Sequence, residues 1–532
     1  MNKFKHLIHV VLFSIYPVIF LFTRNVVEVN FLHVLLPLFI VLLLALAIFF
    51  ISDRLIKNPI KSSFITSLLM IFILNGNLIY QLTKLHILAF SITSIVIIGL
   101  LCVFIIKKKY DGNKLVNILN YFSSVLIILC LISVPADMYK NLFKKTSIKS
   151  SNVIQNNHPD IYYIVLDGYA NNKALKEYYN YDNSEFLTWL ENKGFFVAEN
   201  STSNYMCTTY SITSSLNMRY INDDLQNTHN MNTNAFKLVQ LRRENEVVKF
   251  LKSKGYRFLF LDVVKNDMLS DLKSIADIEY TNNEFNFLLT SLNYLIYKNS
   301  IIGLLDLNGN FIEEKFINIY FYNSYKNSLI KRLEFLSHPE KIAREPKFIY
   351  AHFLTPHPPY LFNRTGKEQP EHIVEPSEYA TEWLKKDLYV DYLMFTNEKI
   401  KELITSIIKN SKKPPIIIIQ SDHGSHYHFQ KTLLELKEQS IDLQKNQEKY
   451  SDMFLSDEDL IINSFGILNA YYFPGEKNTR GLYETITPVN SFKVLFNNYF
   501  NTGLELYEDK NYFGFYECTF GLPDVTDKLK NN

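Results

Sequence analysis

The chain has 532 residues, a formal net charge of +2 and an apolar fraction of 48%. Domains usually hold about 100 to 200 residues, so this length allows two or three of them. A charge so close to zero is too weak to suggest the basic surface of a nucleic-acid-binding protein, and no nucleic-acid partner is expected. The apolar residues are concentrated in the first 136 positions, which are rich in Leu, Ile, Val and Phe.

Five apolar runs occupy this N-terminal part. A helix that crosses the hydrocarbon layer needs about 20 mostly apolar residues. Runs within or near that length, each without Asp, Glu, Lys or Arg, are Leu7–Thr23, Phe31–Ser52, Ser63–Leu82, Ile87–Ile106 and Leu115–Ala136. One such run could be a buried core helix, but five in succession indicate membrane spans. No small-residue cleavage site follows the first run, which argues against a signal peptide. We therefore predict a transmembrane domain over 1–136 and a linker over 137–158.

Loop charge predicts the orientation of these spans. Alternate loops on one side carry most of the basic residues, namely Lys3, Lys5, Arg54, Lys57, Lys61, Lys107, Lys108, Lys109 and Lys114. The opposite loops carry only Arg24 and Lys84, although Lys140, Lys144, Lys145 and Lys149 follow the fifth span and weaken the bias. Because the positive side is cytoplasmic, a multi-pass plasma (inner) membrane protein is predicted, with its N-terminus inside and the chain after the fifth span outside. Spans without charged residues do not suggest a transporter, and we interpret them as an anchor or a platform for a lipid-linked substrate.

From Pro159 onward, short strand-like runs alternate with amphipathic helices. The strand-like runs are Asp160–Asp167, Tyr256–Leu261, Lys347–Phe353, Pro414–Gln420 and Phe465–Phe473, and the helical stretches are Asn183–Lys193, Asn245–Lys254 and Leu384–Asn410. This alternation predicts an α/β domain over 159–532 with a doubly wound, mostly parallel sheet. In such sheets, ligands bind beyond the carboxyl ends of the strands. Residues 267–344 show no clear pattern, and helices or an insertion are expected there.

Four segments carry residues capable of chemistry. They are Asp167 at a strand end before Gly168, Asp422-His423-Gly424 at another strand end, His357 within the proline-rich turn after the strand that holds His352, and a hydroxyl-rich loop over 203–218. That loop leads into a helix, whose N-terminus would stabilise an alkoxide and a bound oxyanion. Each segment alone has a plainer interpretation, such as a turn-forming Asp, a structural loop histidine or a Ser/Thr helix cap.

Taken together, the four segments resemble the alkaline phosphatase–sulfatase superfamily. The resemblance is to its membrane-bound branch, which contains lipoteichoic acid synthases and phosphoglycerol or phosphoethanolamine transferases. It is carried by YYIVLDGYA (162–170), SNYMCTTYSITSSLNM (203–218), AHFLTPHPPY (351–360) and QSDHGS (420–425). FGILNAYYFPG (465–475) and ITPVNSF (486–492) look like the closing segments of sulfatase-like domains.

The resemblance implies a set of site residues. One divalent metal ion, Mn²⁺, Mg²⁺ or Zn²⁺, would be held by Asp167, Thr208, Asp422 and His423. Thr208 would be the nucleophile and form a phospho-threonine, with Thr209 and Ser211 as alternatives. His357 would be a catalytic residue that hydrogen-bonds a non-bridging oxygen of the substrate, and His352 and His428 would assist in substrate binding.

The cysteines say less about function than the four segments do. Many sulfatases convert the cysteine of a Cys-x-Pro-x-Arg sequence to formylglycine, whereas Cys207 is followed by Thr-Thr-Tyr-Ser, so a formylglycine sulfatase is disfavoured. No Cys-x-x-Cys pair or Cys/His cluster suggests a zinc finger. Cys207 and Cys518 are candidates for a disulfide outside the cell.

The expected function is metal-dependent transfer, or hydrolysis, of a phosphate-ester headgroup on the outer face of the membrane. A membrane phospholipid or lipid-linked molecule would be the donor, and an envelope glycan or lipid the acceptor. The first alternative is a membrane-anchored phosphatase or sulfatase. The second, of another class, is a non-catalytic sulfatase-like protein of envelope assembly.

Overall fold

A computed structural model describes most of the chain. The described residues are 4–24, 32–83, 85–109, 111–133, 158–225, 231–261, 269–280, 296–305, 322–342, 346–369, 379–438, 453–475, 479–514 and 522–530. They form two compact units. The first, here called the membrane unit, comprises Met1–Ser147 and Asn283–Tyr320. The second comprises Ile148–Asn282 and Phe321–Asn532 and is called the catalytic unit after the activity predicted for it.

The membrane unit contains five long apolar helices, which confirm the five predicted spans. They are α1 (Ile8–Arg24, after a 3₁₀ turn over Lys5–Leu7), α2 (Leu32–Ile56), α3 (Pro59–Thr83), α4 (Ile87–Lys107) and α5 (Gly112–Ile132). Residues 134–136, the predicted end of the fifth span, lie outside the described residues. On α4, Leu88, Ile95 and Leu100 are each about two-thirds exposed, as suits a helix that faces lipid.

Helices α1, α2 and α3 pack around one apolar cluster, the spanning cluster, formed by Val10, Val18, Phe22, Val34, Val41, Ala45, Met70 and Leu74. Polar side chains add bonds between helices near the Lys5 end of α1. His9 Nδ1 lies 2.8 Å from Ser67 Oγ, and the His9 amide donates to Asn120 Oδ1 at 2.9 Å. Such interhelical hydrogen bonds help to hold spans together where lipid provides no polar partner.

The catalytic unit is built on a seven-stranded sheet with the order β2-β7-β6-β1-β5-β3-β4. The strands are β1 (Ile161–Leu166), β2 (Phe196–Val197), β3 (Arg257–Leu261), β4 (Ile278–Glu279), β5 (Lys347–Phe353), β6 (Ile416–Gln420) and β7 (Asn469–Tyr472). Strands β6, β1, β5, β3 and β4 run parallel, while β7 is antiparallel to β6 and β2. The mostly parallel sheet and its five longer strands confirm the sequence prediction. The two-residue strands β2 and β4 were not predicted.

Helices cover the sheet. They are α6 (Asn172–Tyr179), α7 (Ser184–Asn192), α8 (Thr208–Asn217), α9 (Asn222–Leu225), α10 (Met231–Arg243), α11 (Glu246–Ser253), α13 (Asn323–Leu336), α14 (Tyr379–Glu382), α15 (Lys386–Asn410), α16 (Tyr427–Glu438), α17 (Glu458–Phe465), α18 (Pro488–Phe500) and α19 (Thr526–Lys530), with 3₁₀ turns at Ser270–Ile275 and Pro339–Lys341. Every residue of β1 is at most 1% exposed. Both faces of the central strand are therefore covered, which explains its continuous apolar sequence.

One short helix, α12 (Ile301–Leu305), belongs to the membrane unit although strands of the catalytic unit flank it in sequence. Sequence analysis placed it within a single domain over 159–532. That domain limit, with those of 1–136 and 137–158, stays a prediction. Within residues 283–320, the described residues, 296–305, pack against α3, as described below.

Candidate active site

Three adjacent strands of the catalytic unit deliver chemically capable residues to one edge of the sheet. β1 ends at Leu166 and is followed by Asp167, and the neighbouring β6 ends at Gln420, shortly before Asp422. β5 lies on the other side of β1, and the turn after it holds His357, whose amide donates to the Asp167 carbonyl at 3.1 Å. Because these strands are parallel, their carboxyl ends meet at the same edge, where ligands bind in sheets of this type.

Asp167, Asp422 and His423 form a compact triad that could hold a metal ion. His423 Nε2 lies 3.4 Å from Asp167 Oδ1 and 3.5 Å from Asp422 Oδ2. All three residues are at most 5% exposed. Ligand atoms bound at about 2.0–2.2 Å around a tetrahedral cation lie about 3.3–3.6 Å apart, so these spacings suit one ion.

Each carboxylate of the triad has one oxygen held by a hydrogen-bonding group of the protein and one oxygen that faces His423 Nε2. Asp422 Oδ1 accepts hydrogen bonds from the amides of Gly168 (3.1 Å) and His423 (3.0 Å), and Asp167 Oδ2 lies 3.3 Å from His352 Nε2. Within the described part of the chain, Asp167 Oδ1 and Asp422 Oδ2 are buried and have no hydrogen-bond partner. A buried, unpaired carboxylate oxygen is costly, and a divalent cation would satisfy both. The residues therefore fit the metal that sequence analysis predicted.

The ring of His423 is also oriented to bind a metal ion. Its Nδ1 lies 2.7 Å from the Gly424 carbonyl, which can only accept, so Nδ1 carries a proton and Nε2 faces the two carboxylates, where the neutral ring would offer its lone pair to a metal ion. Burial alone would lower the pKa of His423, but Asp422 and Asp167 outweigh it and raise the pKa to about 9. Burial would likewise raise the pKa of Asp167, yet His357, His352 and His423 hold that pKa well below its ordinary value. The centre thus strongly favours positive charge.

Thr208 is the first residue of α8 and is 7% exposed. The preceding N-cap residue, Cys207, makes no capping hydrogen bond through its side chain. A helix N-terminus provides amide donors and a positive dipole end to an anion bound there. Of the two alternative nucleophiles, Ser211 is buried and donates its hydroxyl to the Tyr205 carbonyl at 2.7 Å. That structural bond favours Thr208 over Ser211.

His426, which sequence analysis did not identify, connects the triad to the loop before Thr208. Its ring stacks on His423 with centroids 4.2 Å apart and planes 8° from parallel. Its Nε2 donates to the Met206 carbonyl at 2.8 Å. Burial and the neighbouring His423 hold the pKa of His426 well below its ordinary value, so the ring is neutral. The spacing His423-x-x-His426 was a visible signal, but the pairing with Met206 is a tertiary contact that no local pattern predicts.

Trp383 is a second residue that sequence analysis missed. It is 2% exposed, and its ring lies 5.0 Å from His357 and 5.5 Å from His426 between centroids. It also covers Gly168, where a Cβ would come within 2.7 Å of Trp383 Cη2 and where φ is +69°. Glycine is therefore required after Asp167 for both space and backbone conformation. Trp383 forms an apolar wall beside the triad.

The three other predicted histidines differ in position. His357 is half-buried beside Trp383, and its Nδ1 donates to the Pro358 carbonyl at 2.5 Å. His352 is buried behind Asp167, with Nδ1 2.9 Å from the Tyr350 hydroxyl, a position suited to orienting that carboxylate. His428 lies between Tyr178 and Tyr427, at 4.6 and 4.9 Å between centroids. Among the described residues, no hydrogen bond or ring contact joins His428 to the triad.

Fold and site together define an integral membrane protein whose α/β unit carries a candidate divalent-metal centre. The sulfatase family model matches residues 159–450, more than half of the chain, and the protein belongs to the sulfatase family. Its apolar N-terminal helices place it in the membrane-bound, sulfatase-like branch of that family.

Several solved structures are similar to this chain at low identity. The periplasmic domain of EcEptC from Escherichia coli, solved with Zn, is 13% identical with a TM-score of 0.40 and covers 71% of this chain and 97% of its own. The putative sulfatase yidJ from Bacteroides fragilis is 12% identical with a TM-score of 0.38, covering 69% and 84%. The integral membrane protein EptA from Neisseria meningitidis, a lipooligosaccharide phosphoethanolamine transferase, is 11% identical with a TM-score of 0.31, covering 92% and 95%. No curated protein matches the sequence.

Proposed function

We propose that this protein transfers a phosphate-ester headgroup at the outer membrane surface through a phospho-threonine intermediate. The observation that carries the proposal is a pair of buried oxygens, on Asp167 and Asp422, that face His423 Nε2 and have no hydrogen-bond partner in the described part of the chain. Thr208, at the start of α8, would complete the ligand set, as the family resemblance implies. A divalent cation bound there would acidify the Thr208 hydroxyl and offset the charge of the phosphate group.

The reaction would proceed in two displacements. In the first, Thr208 Oγ1 loses its proton and bonds to phosphorus, while the bond from phosphorus to the leaving alcohol breaks and that alcohol takes up a proton. In the second, an acceptor hydroxyl loses its proton and bonds to phosphorus, and Thr208 leaves as a hydroxyl. The positive dipole end at the N-terminus of α8 would stabilise the non-bridging oxygens in both steps.

In this proposal His357 moves one of these protons. Because Nδ1–H is committed to the Pro358 carbonyl, a neutral His357 ring has its lone pair on Nε2. Burial lowers the pKa of His357 despite the nearby Asp167, which favours this neutral form. The ring is thus suited to accept the proton of the acceptor hydroxyl, and it donates a hydrogen bond to the phosphate only when protonated.

Transfer is favoured over hydrolysis by the five-span anchor, which would keep the site next to phospholipid donors. The acceptor would be an envelope glycan or lipid. Hydrolysis, by a membrane-anchored phosphatase or sulfatase, remains the second candidate because water could replace the acceptor in the same site. A non-catalytic role is disfavoured, since the unpaired carboxylate oxygens are a stability cost that catalysis would explain.

Mass spectrometry of the peptide spanning residues 203–218 tests the proposal. Protein purified from membranes and quenched in acid should carry an adduct on Thr208 whose mass identifies the transferred group. A phosphoglycerol or phosphoethanolamine mass supports headgroup transfer, a bare phosphate supports a phosphatase, and a sulfate supports a sulfatase. An unmodified Thr208 with an adduct on another residue would refute the assigned nucleophile.

The predicted topology has a direct test. A single cysteine introduced at Lys149 should react with a membrane-impermeant maleimide on intact cells or spheroplasts, whereas one at Lys108 should react only after the membrane is opened. The basis is the excess of lysine and arginine on one side of the spans. The reverse labelling pattern would put the catalytic unit in the cytoplasm and exclude headgroup transfer on the outer face.

The contact between His426 and Met206 predicts a rate effect. His426→Ala should slow adduct formation on Thr208 by about 10² -fold, because a shift of about 1 Å in a reacting group has this effect. His426→Gln should recover much of the rate, since its amide can still donate to the Met206 carbonyl. Metal affinity, measured by calorimetry, should change much less than the rate. Equal rates for the two variants would contradict a positioning role for this hydrogen bond.

A further inference from the structure

Residues 283–320 are separated in sequence from the five spans, yet they belong to the membrane unit. Their described part covers residues 296–305 and includes helix α12. Between positions 285 and 305 the sequence has one charged residue, Lys298. This composition is more apolar than that of the surface loops of a water-soluble domain, and it suits a segment in contact with lipid or with apolar helices.

The contacts of this segment are with α3 and the spanning cluster. Ile296 is partly buried against the spanning cluster. Ile301 lies directly on Gly76 of α3, where a Cβ would come within 2.9 Å of the Ile301 Cβ and 3.0 Å of its Cα. Asn77 Nδ2 donates to the Lys298 carbonyl at 2.8 Å. A glycine on one partner allows close backbone approach, which is how helices associate in lipid.

The segment is also held internally. Ser300 is 4% exposed, its hydroxyl donates to the Tyr297 carbonyl at 2.7 Å, and it accepts from the Gly303 amide at 3.2 Å. Ile302, on the same short helix, is 50% exposed. The segment therefore buries one side on α3 and leaves an apolar side chain on another, as expected at the boundary between protein and lipid.

The position along α3 indicates the side of the membrane. α3 begins near Lys61, whose Nζ donates to the Ile106 carbonyl at the end of α4 at 2.5 Å. Gly76 is 15 residues farther along the helix, a rise of about 22 Å, and so lies toward the opposite boundary of the hydrocarbon layer. The lysine-rich end is the cytoplasmic one by the loop-charge rule. The segment then docks near the outer boundary, on the side predicted for the chain after the fifth span.

We infer that residues 296–305 are a second membrane attachment of the catalytic chain, docked on the Gly76–Asn77 surface of α3 and on the outer-leaflet lipid beside it. The chain passes between the two units at three places, after residues 147, 282 and 320. The catalytic unit is then connected to the membrane by this docked segment as well as by the linker over 137–158. This attachment is independent of the chemistry proposed above.

Cutting the linker tests the attachment. A protease site is inserted into the linker of the full-length protein, the protein is cleaved in isolated membranes, and the membranes are washed with concentrated salt. The fragment that contains the catalytic unit should stay in the pellet. Release of that fragment into the wash would overturn the inference, because the linker would then be the only attachment.

An engineered disulfide can test where residues 296–305 contact α3. In protein whose four native cysteines are replaced by alanine, the pair Gly76→Cys and Ile301→Cys should cross-link the two fragments after linker cleavage, so that they migrate together until reduced. The matched control is Gly99→Cys with Ile301→Cys, because the space around Gly99 on α4 is open within 4 Å. The control should not cross-link. Retention without the Gly76 cross-link, or equal cross-linking at Gly99, would overturn docking at this surface.

Discussion

Thr208→Ala should abolish both turnover and the covalent intermediate. Removing a catalytic nucleophile costs at least about 10³-fold in rate, because the remaining groups bind the substrate but cannot form the intermediate. Folding should change little, since loss of a hydroxyl at a helix start costs about 1 kcal/mol. The measurements are single-turnover adduct formation by mass spectrometry and the unfolding midpoint of the purified protein.

Three neighbouring variants are the controls. Cys207→Ser should keep most of the activity, because Cys207 lacks the sequence for conversion to formylglycine. Thr209→Ala should have a mild effect. Ser211→Ala should lower stability by about 1 kcal/mol through loss of its buried bond to Tyr205, without preventing the adduct. An inactive Cys207→Ser with an active Thr208→Ala would shift the nucleophile by one residue and favour an unusual sulfatase.

The effect of Asp422→Asn on the stability of the folded protein should be opposite with and without metal. Without metal, the variant should be as stable as the parent or more stable, because it removes one of two buried carboxylates that share a single cationic partner, His423. The side-chain oxygen of the variant can still accept from the Gly168 and His423 amides. With Mn²⁺ or Zn²⁺ at about 100 times the dissociation constant, the parent should gain about 2.7 kcal/mol, and the variant should lose most of this gain.

Thermal unfolding at several metal concentrations measures both effects. His428→Ala is the matched control, because His428 lies among Tyr178 and Tyr427 and should leave metal stabilisation unchanged. If Asp422→Asn lowered the stability of the metal-free protein and kept the full metal effect, the two carboxylates would not be a metal centre. Loss of the metal effect in His428→Ala would place that histidine in the site.

Much of the catalytic unit was predictable because its strands are buried on both faces. A run such as Ile416–Gln420, apolar throughout and ending shortly before Asp422, has few other interpretations. The acids at strand ends were predictable for the same reason, since parallel topology gathers carboxyl ends at one edge. The two-residue strands β2 and β4 lacked such a pattern, because they are too short to show a period.

The residues that sequence analysis missed act through tertiary contacts. His426 is recognisable only when its ring is seen stacked on His423 and bonded to Met206. Trp383 follows a four-residue helix and lies more than 200 positions from Gly168, which it covers. Helix α12 is five residues long, shorter than any amphipathic pattern can identify. The disulfide suggested for Cys207 and Cys518 stays a prediction, because Cys518 lies outside the described residues.

In each carboxylate of the triad, one oxygen is held by the protein and the other is left for a metal ion, and this bears on the order in which folding and metal binding occur. The Gly168 and His423 amides hold one oxygen of Asp422, and His352 faces one oxygen of Asp167. Hydrogen bonds within the protein thus help to position both carboxylates, whereas a zinc finger depends on its ion to fold. We therefore expect the polypeptide to be inserted and folded in the membrane first and to acquire the proposed ion afterwards. Chelation of the metal should then abolish the proposed activity reversibly, while the protein stays folded.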